Sequence, residues 1–403
     1  MTQPSFARNV AVLATCQALF FMANTVVIST SALVGLQYAP NPSLSTLALG
    51  SQFLGTMLAT LPASFLMQRF GRGTGLFVGA AFGIAAGLLG WVAIVRGDFW
   101  LFCVAGLVYG TFGAFGQYIR FAAADAADAA SGRADPALRA RAIGWVMAGG
   151  TVAAVLGPEL ANRTRELFAP VMFAGCFAAI ACLAAAGLAV ASLLRLPVPP
   201  RGSAGGGRPI AEIARQPAAI VAFAAALVAY VTMNLLMTAT PLAMIACGHG
   251  FADSAFVIQW HVLGMFAPSF VTGHLIARLG VGRVMGAGLV LLLACVAIDL
   301  AGVSVAHFAA ALLLLGVGWN FLFVGATTLL TTCHTQAEKA KVQGLNHFLI
   351  FTTVGVSATL SGVLHELVGW QAMNLMALPA LALVALLLLK ATPASAPHPA
   401  TAG

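Results

Sequence analysis

Charge is what this chain lacks. Only 7% of its 403 residues are charged, against about 25% in a soluble domain. With 61% hydrophobic residues, the composition excludes a water-soluble globular protein and indicates an integral membrane protein with little outside the bilayer. A cleavable leader is not expected. The first apolar run, 10–34, is too long for one and lacks a small-residue cleavage site, so it reads as the first span. Seven cysteines (16, 103, 176, 182, 247, 295, 333) stand singly. They form no C-x-x-C and no secreted disulfide framework, which leaves them as small buried hydrophobes. There is no G-x-x-x-x-G-K-[ST] loop for a nucleotide, and no H-E-x-x-H, central carboxylate pair or serine nucleophile with a base nearby. An enzyme is therefore not expected, and nucleotide does not drive the protein directly. Long soluble extensions, which a membrane-embedded sensor or assembly factor would carry, are also missing.

Carboxylates are scarce inside the apolar runs. Asp299 and Glu159 fall near outer helix ends, where a capping or interfacial role is expected. Asp98, Glu166, Asp253 and Glu366 fall in outer loops, and Asp125, Asp128, Asp135, Glu212 and Glu338 in inner ones. No acid sits at a span centre, although proton-coupled carriers and carriers of organic cations often keep one there.

Twelve runs are long enough to cross a hydrocarbon core of about 20 residues. Their approximate limits are 8–34, 45–67, 74–95, 99–121, 141–160, 171–194, 218–246, 256–277, 284–302, 308–331, 342–364 and 371–390. The chain thus divides into a six-helix half (1–194), a Pro-, Gly- and Arg-rich cytoplasmic linker (195–217), a second six-helix half (218–390) and a short disordered cytoplasmic tail (391–403). The net charge of +8 could suggest nucleic acid, but its placement follows membrane topology. With the N-terminus inside, 16 basic residues face the cytoplasm, and only Arg96, Arg163 and Arg165 face out. This asymmetry places both termini in the cytoplasm.

The polar groups left deep in the spans are neutral: Gln17, Asn24, Gln52, Gln117, Asn234, Gln259, Asn320, Asn346, His261 and His347. Amides can line a cavity for a polar organic solute or tie helices together. Arg120, at the exit of the fourth span, is expected to snorkel to the inner surface.

One stretch, 230–266, carries a more pointed pattern. Met233 and Met237 share a face of the seventh span, and His261 and Met265 share a face of the eighth. Counting rise per residue from the outer ends, His261 lies roughly 9 Å deep, Met237 roughly 13 Å, Met265 roughly 15 Å and Met233 roughly 20 Å. Thioether and neutral imidazole suit a soft ion such as Cu(I). Weak neutral ligands also let an ion leave again. Cys247 and His249 would stand at the outer mouth. The bland alternative is packing, because Met pairs at this spacing arise often in apolar cores.

Six plus six spans, with the basic turns QRFGRG (68–73) and ARLGVGR (277–283) at matching places, resemble the major facilitator superfamily along the whole chain. The likeness implies an all-α integral membrane fold of twelve helices in two halves, working by alternating access. Several motifs depart from it. Gln68 and Ala277 replace an acid before the basic turns, and Gly106 stands where the fourth span often has Arg. In the fifth span Gly144, Gly157 and Pro158 fit an antiporter pattern, but Ala153 and Ala161-Asn162 do not. More narrowly, M-x-x-x-M (233–237) and H-x-x-x-M (261–265) are similar to the motifs of CcoA-like copper importers. That resemblance implies Met233, Met237, His261 and Met265 as ligands of a transported copper ion, with no resident cofactor. It further implies import across the bacterial inner membrane, supply of copper for cbb3-type cytochrome oxidase assembly, and cytoplasmic copper carriers as partners of a monomer surrounded by lipid. Tyr230, Trp260, Trp319 and the amides support the alternative, a carrier for an organic solute such as a flavin or an exported drug.

Overall fold

In the computed structural model, residues 4–131, 136–196, 207–335 and 338–391 are described. The middle of the expected linker, 197–206, and the expected tail beyond Ala391 lie outside them. Every regular element among the described residues is helical. These are α1 (Pro4–Tyr38), α2 (Leu47–Phe70), α3 (Arg72–Arg96), α4 (Phe99–Gly116), α5 (Ile119–Ser131), α6 (Pro136–Thr164), α7 (Ala174–Ala191), α8 (Ile210–Ala214), α9 (Pro217–Ala246), α10 (Phe251–Phe266), α11 (Ser269–Leu279), α12 (Val281–Ala301), α13 (Val305–Thr331) and α14 (Lys339–Ala391), with one 3-10 turn (Pro42–Leu44).

Among the described residues, ten helical stretches are long and apolar enough to cross a membrane, or eleven if the α10–α11 pair, bent by 42°, counts as one span. The two runs expected at 342–364 and 371–390 both fall in α14, whose 53 residues are two helices meeting at a kink at Gly369, with φ 75° and ψ 174°. Such a positive φ is open to glycine and strained for other residues. At 1.5 Å per residue, α14 is more than twice as long as a bilayer core is thick. The fourth run also differs from expectation. The stretch 116–127, expected as the exit from a span, breaks its helix only at 117–118 and continues as α5 to Ser131, so that Phe99–Ser131 forms one long apolar stretch. Asp125 and Asp128 therefore lie on a helix rather than in a loop.

Lipid offers helices no hydrophobic reason to associate, so close approach depends on small residues. α2 and α4 meet at Gly110, where a Cβ would fall 1.9 Å from the Gln52 carbonyl oxygen. α10 and α13 meet at Gly316, where a Cβ would lie 2.4 Å from the His261 carbonyl oxygen. The buried side chains form two main clusters. One is built mostly from α1–α7 and the other mostly from α9–α14.

The clusters join at the end of the bundle away from the chain termini. There the Thr46 hydroxyl donates to the Thr359 carbonyl (3.1 Å) and accepts from the Gly362 amide (2.9 Å). Phe173 packs edge-on against Phe251, with 5.4 Å between ring centroids. At the opposite end Arg72 pairs with Asp125 at 2.8 Å. The basic α2–α3 turn, which lacks an acid of its own at Gln68, thus takes its carboxylate from α5.

The described end of the linker, 207–216, is ordered against the second half. Ile213 is fully buried. Arg208 grips Glu338 through two bonds of 2.9 Å and donates to the Cys333 carbonyl. The Arg208 and Thr335 amides also donate to Glu338, and Lys341 donates to the Arg208 carbonyl. The Arg208 guanidinium and these amides hold the Glu338 carboxyl well below the usual carboxylate range. A depressed folded value means that the stabilisation is complete above the unfolded pKa, about 4.3, and is lost as pH falls toward the folded one. Arg208→Ala should therefore lower the melting temperature at pH 7, and the gap to the native chain should narrow below about pH 4. A pH series of thermal unfolding curves in detergent checks both.

Candidate functional site: a central cavity between the halves

The two halves enclose a cavity of about 250 Å³. That is many times the roughly 30 Å³ a water molecule occupies in the liquid. Helical periodicity brings its wall together. Tyr230, Met233, Asn234 and Met237 stand on one face of α9, and Val262, Met265, Phe266 and Ser269 continue one face through the α10–α11 bend. Both sets follow the spacing i, i+3, i+4, i+7. From the first half come Gln17, Phe21 and Asn24 of α1, Gln52, Phe53 and Thr56 of α2, Gln117 in the α4–α5 turn, and Arg120 of α5.

The wall has an aromatic corner. Trp319 and Phe323 stack at 5.2 Å with 14° between planes, and Tyr230 stands edge-on to both at 5.1 and 4.8 Å. Opposite them Phe21 meets Phe266 edge-on at 4.7 Å.

Six of the deep neutral groups reach this wall: Gln17, Asn24, Gln52, Gln117, Asn234 and Asn320. They do different work. Asn320 is fully engaged, donating to the Met265 carbonyl and the Ser269 hydroxyl and accepting from Thr272. It braces the bend after α10, where Pro268 cannot donate a backbone bond. Gln52 donates to Asn24 at 3.3 Å. Buried oxygens of Gln17, Gln52 and Asn234, and the Trp319 indole nitrogen, have no partner. Buried polar groups are normally satisfied; these unpaired atoms belong to residues of the cavity wall but are themselves covered.

Of the four metal ligands implied by sequence, Met233, Met237 and Met265 line the cavity. His261 does not stand among the described lining residues. Its ring is fully buried against α13, where Nδ1 meets the Leu312 carbonyl at 2.9 Å and Nε2 has no partner. The Nδ1 contact requires the proton on that nitrogen, which leaves a lone pair on Nε2. On a helix His261 precedes the cavity-facing Val262 by about 100°, and the close approach at Gly316 fills that side with α13. At the far end Cys247 is exposed and His249 bonds the Val303 carbonyl. Neither reaches the cavity. The described residues hold no cluster of three or more His, Cys, Asp or Glu able to bind a metal ion.

One expectation needs correction. Arg120 does not run to the inner surface. It stands on the cavity wall, held over the Phe121 ring at 5.0 Å, and is the only charged side chain among the described lining residues. The apolar helical stretch runs on as α5 to Ser131, well beyond Arg120, so the span does not end where counting along the sequence puts it. Asp299 stands near the end of α12, as expected, and is 1% exposed, with the Cys295 thiol 3.7 Å from one oxygen and no partner on the other. It lies away from the cavity lining.

The family model of the Major Facilitator Superfamily matches residues 13–267 and 222–403. The chain belongs to that superfamily. It is accordingly a membrane transporter built of multiple apolar helices. It is 42% identical to the riboflavin transporter RfnT of Brucella anthropi, over 95% of this chain and 96% of that protein. It is also 29% identical to the uncharacterised MFS-type transporter YdeG of Bacillus subtilis, over 84% of this chain and 81% of that one. In structure it is similar to the human organic anion transporter MFSD10, with a TM-score of 0.66, 16% identity, and coverage of 96% of this chain and 100% of that one. This last likeness shows the fold alone. The resemblance to copper importers thus stands at the level of the superfamily. Its finer part, copper import for oxidase assembly, gains no support, because the relative at 42% identity is a riboflavin transporter.

Proposed function

We propose that this chain is a secondary carrier that takes up a flavin-class organic solute, riboflavin first among them, across the bacterial inner membrane. The observation that carries the reading is the cavity wall: flat aromatic rings, amide side chains, one guanidinium and no carboxylate among its described residues. Such a wall suits a planar heteroaromatic ring bearing a polar chain, and the 42% identity to a riboflavin transporter agrees.

The reading counts twelve spans, with α4–α5 and α10–α11 each crossing once and α14 crossing twice around Gly369. It keeps both termini cytoplasmic, a monomer in lipid, no resident cofactor and no nucleic-acid partner. The halves rock about the cavity. The contacts of Thr46 with Thr359 and Gly362 then form the shut outer gate of a state open to the cytoplasm.

The test is uptake of labelled riboflavin by a riboflavin-auxotrophic bacterium expressing the chain. Saturable accumulation well above that of vector cells, with growth on micromolar riboflavin, is the expected outcome. Uptake equal to vector, with the protein present in the membrane, overturns the reading.

A second reading keeps copper as the cargo. Three thioethers line the cavity, and His261 is anchored through Nδ1 with a free Nε2, as metal-binding histidines commonly are. Arg120 weighs against it. Two like charges about 8 Å apart at an effective dielectric of about 20 repel by about 2 kcal/mol, so a guanidinium on the same wall disfavours a monovalent cation. The same cells decide between the two. Copper uptake lost on changing Met233, Met237 and Met265 to Leu, with riboflavin uptake absent from the native chain, would favour the metal.

A further inference from the structure

We propose that Arg120 is the specificity-determining residue of this carrier, and that its guanidinium binds an edge of the cargo bearing two adjacent acceptors and no donor. In a flavin this is the ring nitrogen and carbonyl oxygen, side by side, of the pyrimidinedione. In another organic solute it is a carboxylate. The proposal rests on the reading of the cavity as a site for an organic solute and names the chemistry that site selects.

The argument begins with what Arg120 lacks. Its Nε is sealed from solvent and has no hydrogen-bond partner. No carboxylate pairs with it among the described residues, although Arg72, Arg163, Arg165 and Arg208 each have one. Its neighbours are rings. It lies over Phe121, and Tyr118, Tyr230 and His347 are close enough to feel its charge. A charged group kept inside a membrane protein is costly and is normally paired or functional. Here a planar guanidinium stands on the wall of a cavity whose described lining offers no anion.

Geometry narrows the guest further. Arg120 belongs to the first half, whereas Tyr230 belongs to α9 of the second and forms the aromatic corner with Trp319 and Phe323. A planar ring held at that corner can turn its acceptor edge to the guanidinium, so one cargo touches both halves at once. The guanidinium fork matches two parallel acceptors and cannot accept from a donor. Rings that present N–H groups at that edge are rejected, because donor would face donor. An ammonium, a point charge on a flexible stem, does not reproduce the fork.

The experiment measures transport and binding in the full chain with Arg120→Lys and Arg120→Gln, after checking membrane level and monodispersity. Three probes are used: labelled riboflavin, a ribityl-bearing phenazine of similar size without the pyrimidinedione, and an aromatic carboxylate. Binding is followed by quenching of tryptophan fluorescence.

The expected result is that the native chain prefers riboflavin over the phenazine by at least tenfold. Arg120→Gln should raise the riboflavin KM at least tenfold while leaving the phenazine almost unchanged, so that the preference collapses. Arg120→Lys, which keeps the charge and therefore folding, should show the same loss of preference in smaller measure. A purely structural arginine would weaken both probes alike. If both variants keep the native KM and preference, the proposal falls and the flavin reading stands. If the native chain ignores riboflavin but binds the carboxylate, and loses it with Arg120→Gln, the flavin reading falls and the proposal stands. If no probe depends on Arg120, the proposal falls whichever cargo is carried.

Discussion

Gly110→Val should fail to accumulate as a folded carrier. A Cβ at this position would stand 1.9 Å from the Gln52 carbonyl oxygen and 2.7 Å from the Thr56 amide nitrogen. Both are backbone atoms of α2, and no flexible side chain can yield. The contact is reciprocal, since a Cβ at Gly55 of α2 would reach within 2.1 Å of the Leu107 carbonyl oxygen on α4. Thr56 locks the crossing by donating to the Gly110 carbonyl at 3.0 Å. Overpacking a close contact costs about 1–3 kcal/mol where neighbours can relax, and two helix backbones relax less readily than side chains. The damage would also spread to the site, because Gln52, Thr56 and Gly113 line the cavity from these two helices. Gly144→Val is the control, since a Cβ there meets nothing within 4 Å, and it should accumulate like the native chain. Fluorescence-detected size exclusion of both variants separates them. A Gly110→Val chain with a native elution profile and melting temperature would sink the argument.

This crossing also marks where sequence ceases to inform. A run of glycines in 106–116 shows that some neighbour comes close, but not that the neighbour is α2. The spans themselves are legible because in lipid a helix must satisfy its own backbone, so an apolar run of sufficient length has little choice. α1, α3, α9 and α13 accordingly fall within a few residues of expectation. Which face of a span turns inward is a different matter. The i, i+4 rule correctly puts Met233 with Met237, and their face reaches the cavity. It also puts His261 with Met265, yet only Met265 does so. These two residues lie some 40° apart on the helix, and the Leu312 carbonyl of α13 holds the His261 ring away from the cavity lining. Nothing local to α10 encodes that. The depth of Arg120 has a different cause: the helical stretch runs on to Ser131, past the point where the apolar run in the sequence gives way to charged residues. The M-x-x-x-M and H-x-x-x-M spacing is thus real, while the chemistry inferred from it depended on a convergence that the helix packing gives only in part.

The aromatic corner yields the other large effect. Trp319→Ala should raise the riboflavin KM by about 5- to 150-fold, the equivalent of the roughly 1–3 kcal/mol that stacking of a heteroaromatic ring on a protein side chain contributes. Trp319 is 7% exposed, so truncation also opens a void. The informative variant is therefore Trp319→Phe, which keeps a flat ring beside Phe323 and should retain most of the affinity. Tyr230→Phe should behave likewise, because Tyr230 meets its neighbours through the ring edge. If ring faces hold the cargo, the order of riboflavin KM will be native, then the two Phe variants close together, then Trp319→Ala far above. If the Met residues hold it instead, changing Met233, Met237 and Met265 to Leu will cost more than Trp319→Ala. Leu keeps the bulk and removes only the sulfur, so this comparison isolates thioether chemistry from shape. A planar organic guest gains from area and little from soft donor atoms, and the Leu triple variant should therefore stay within about threefold of native, less than a kilocalorie per mole of altered contact.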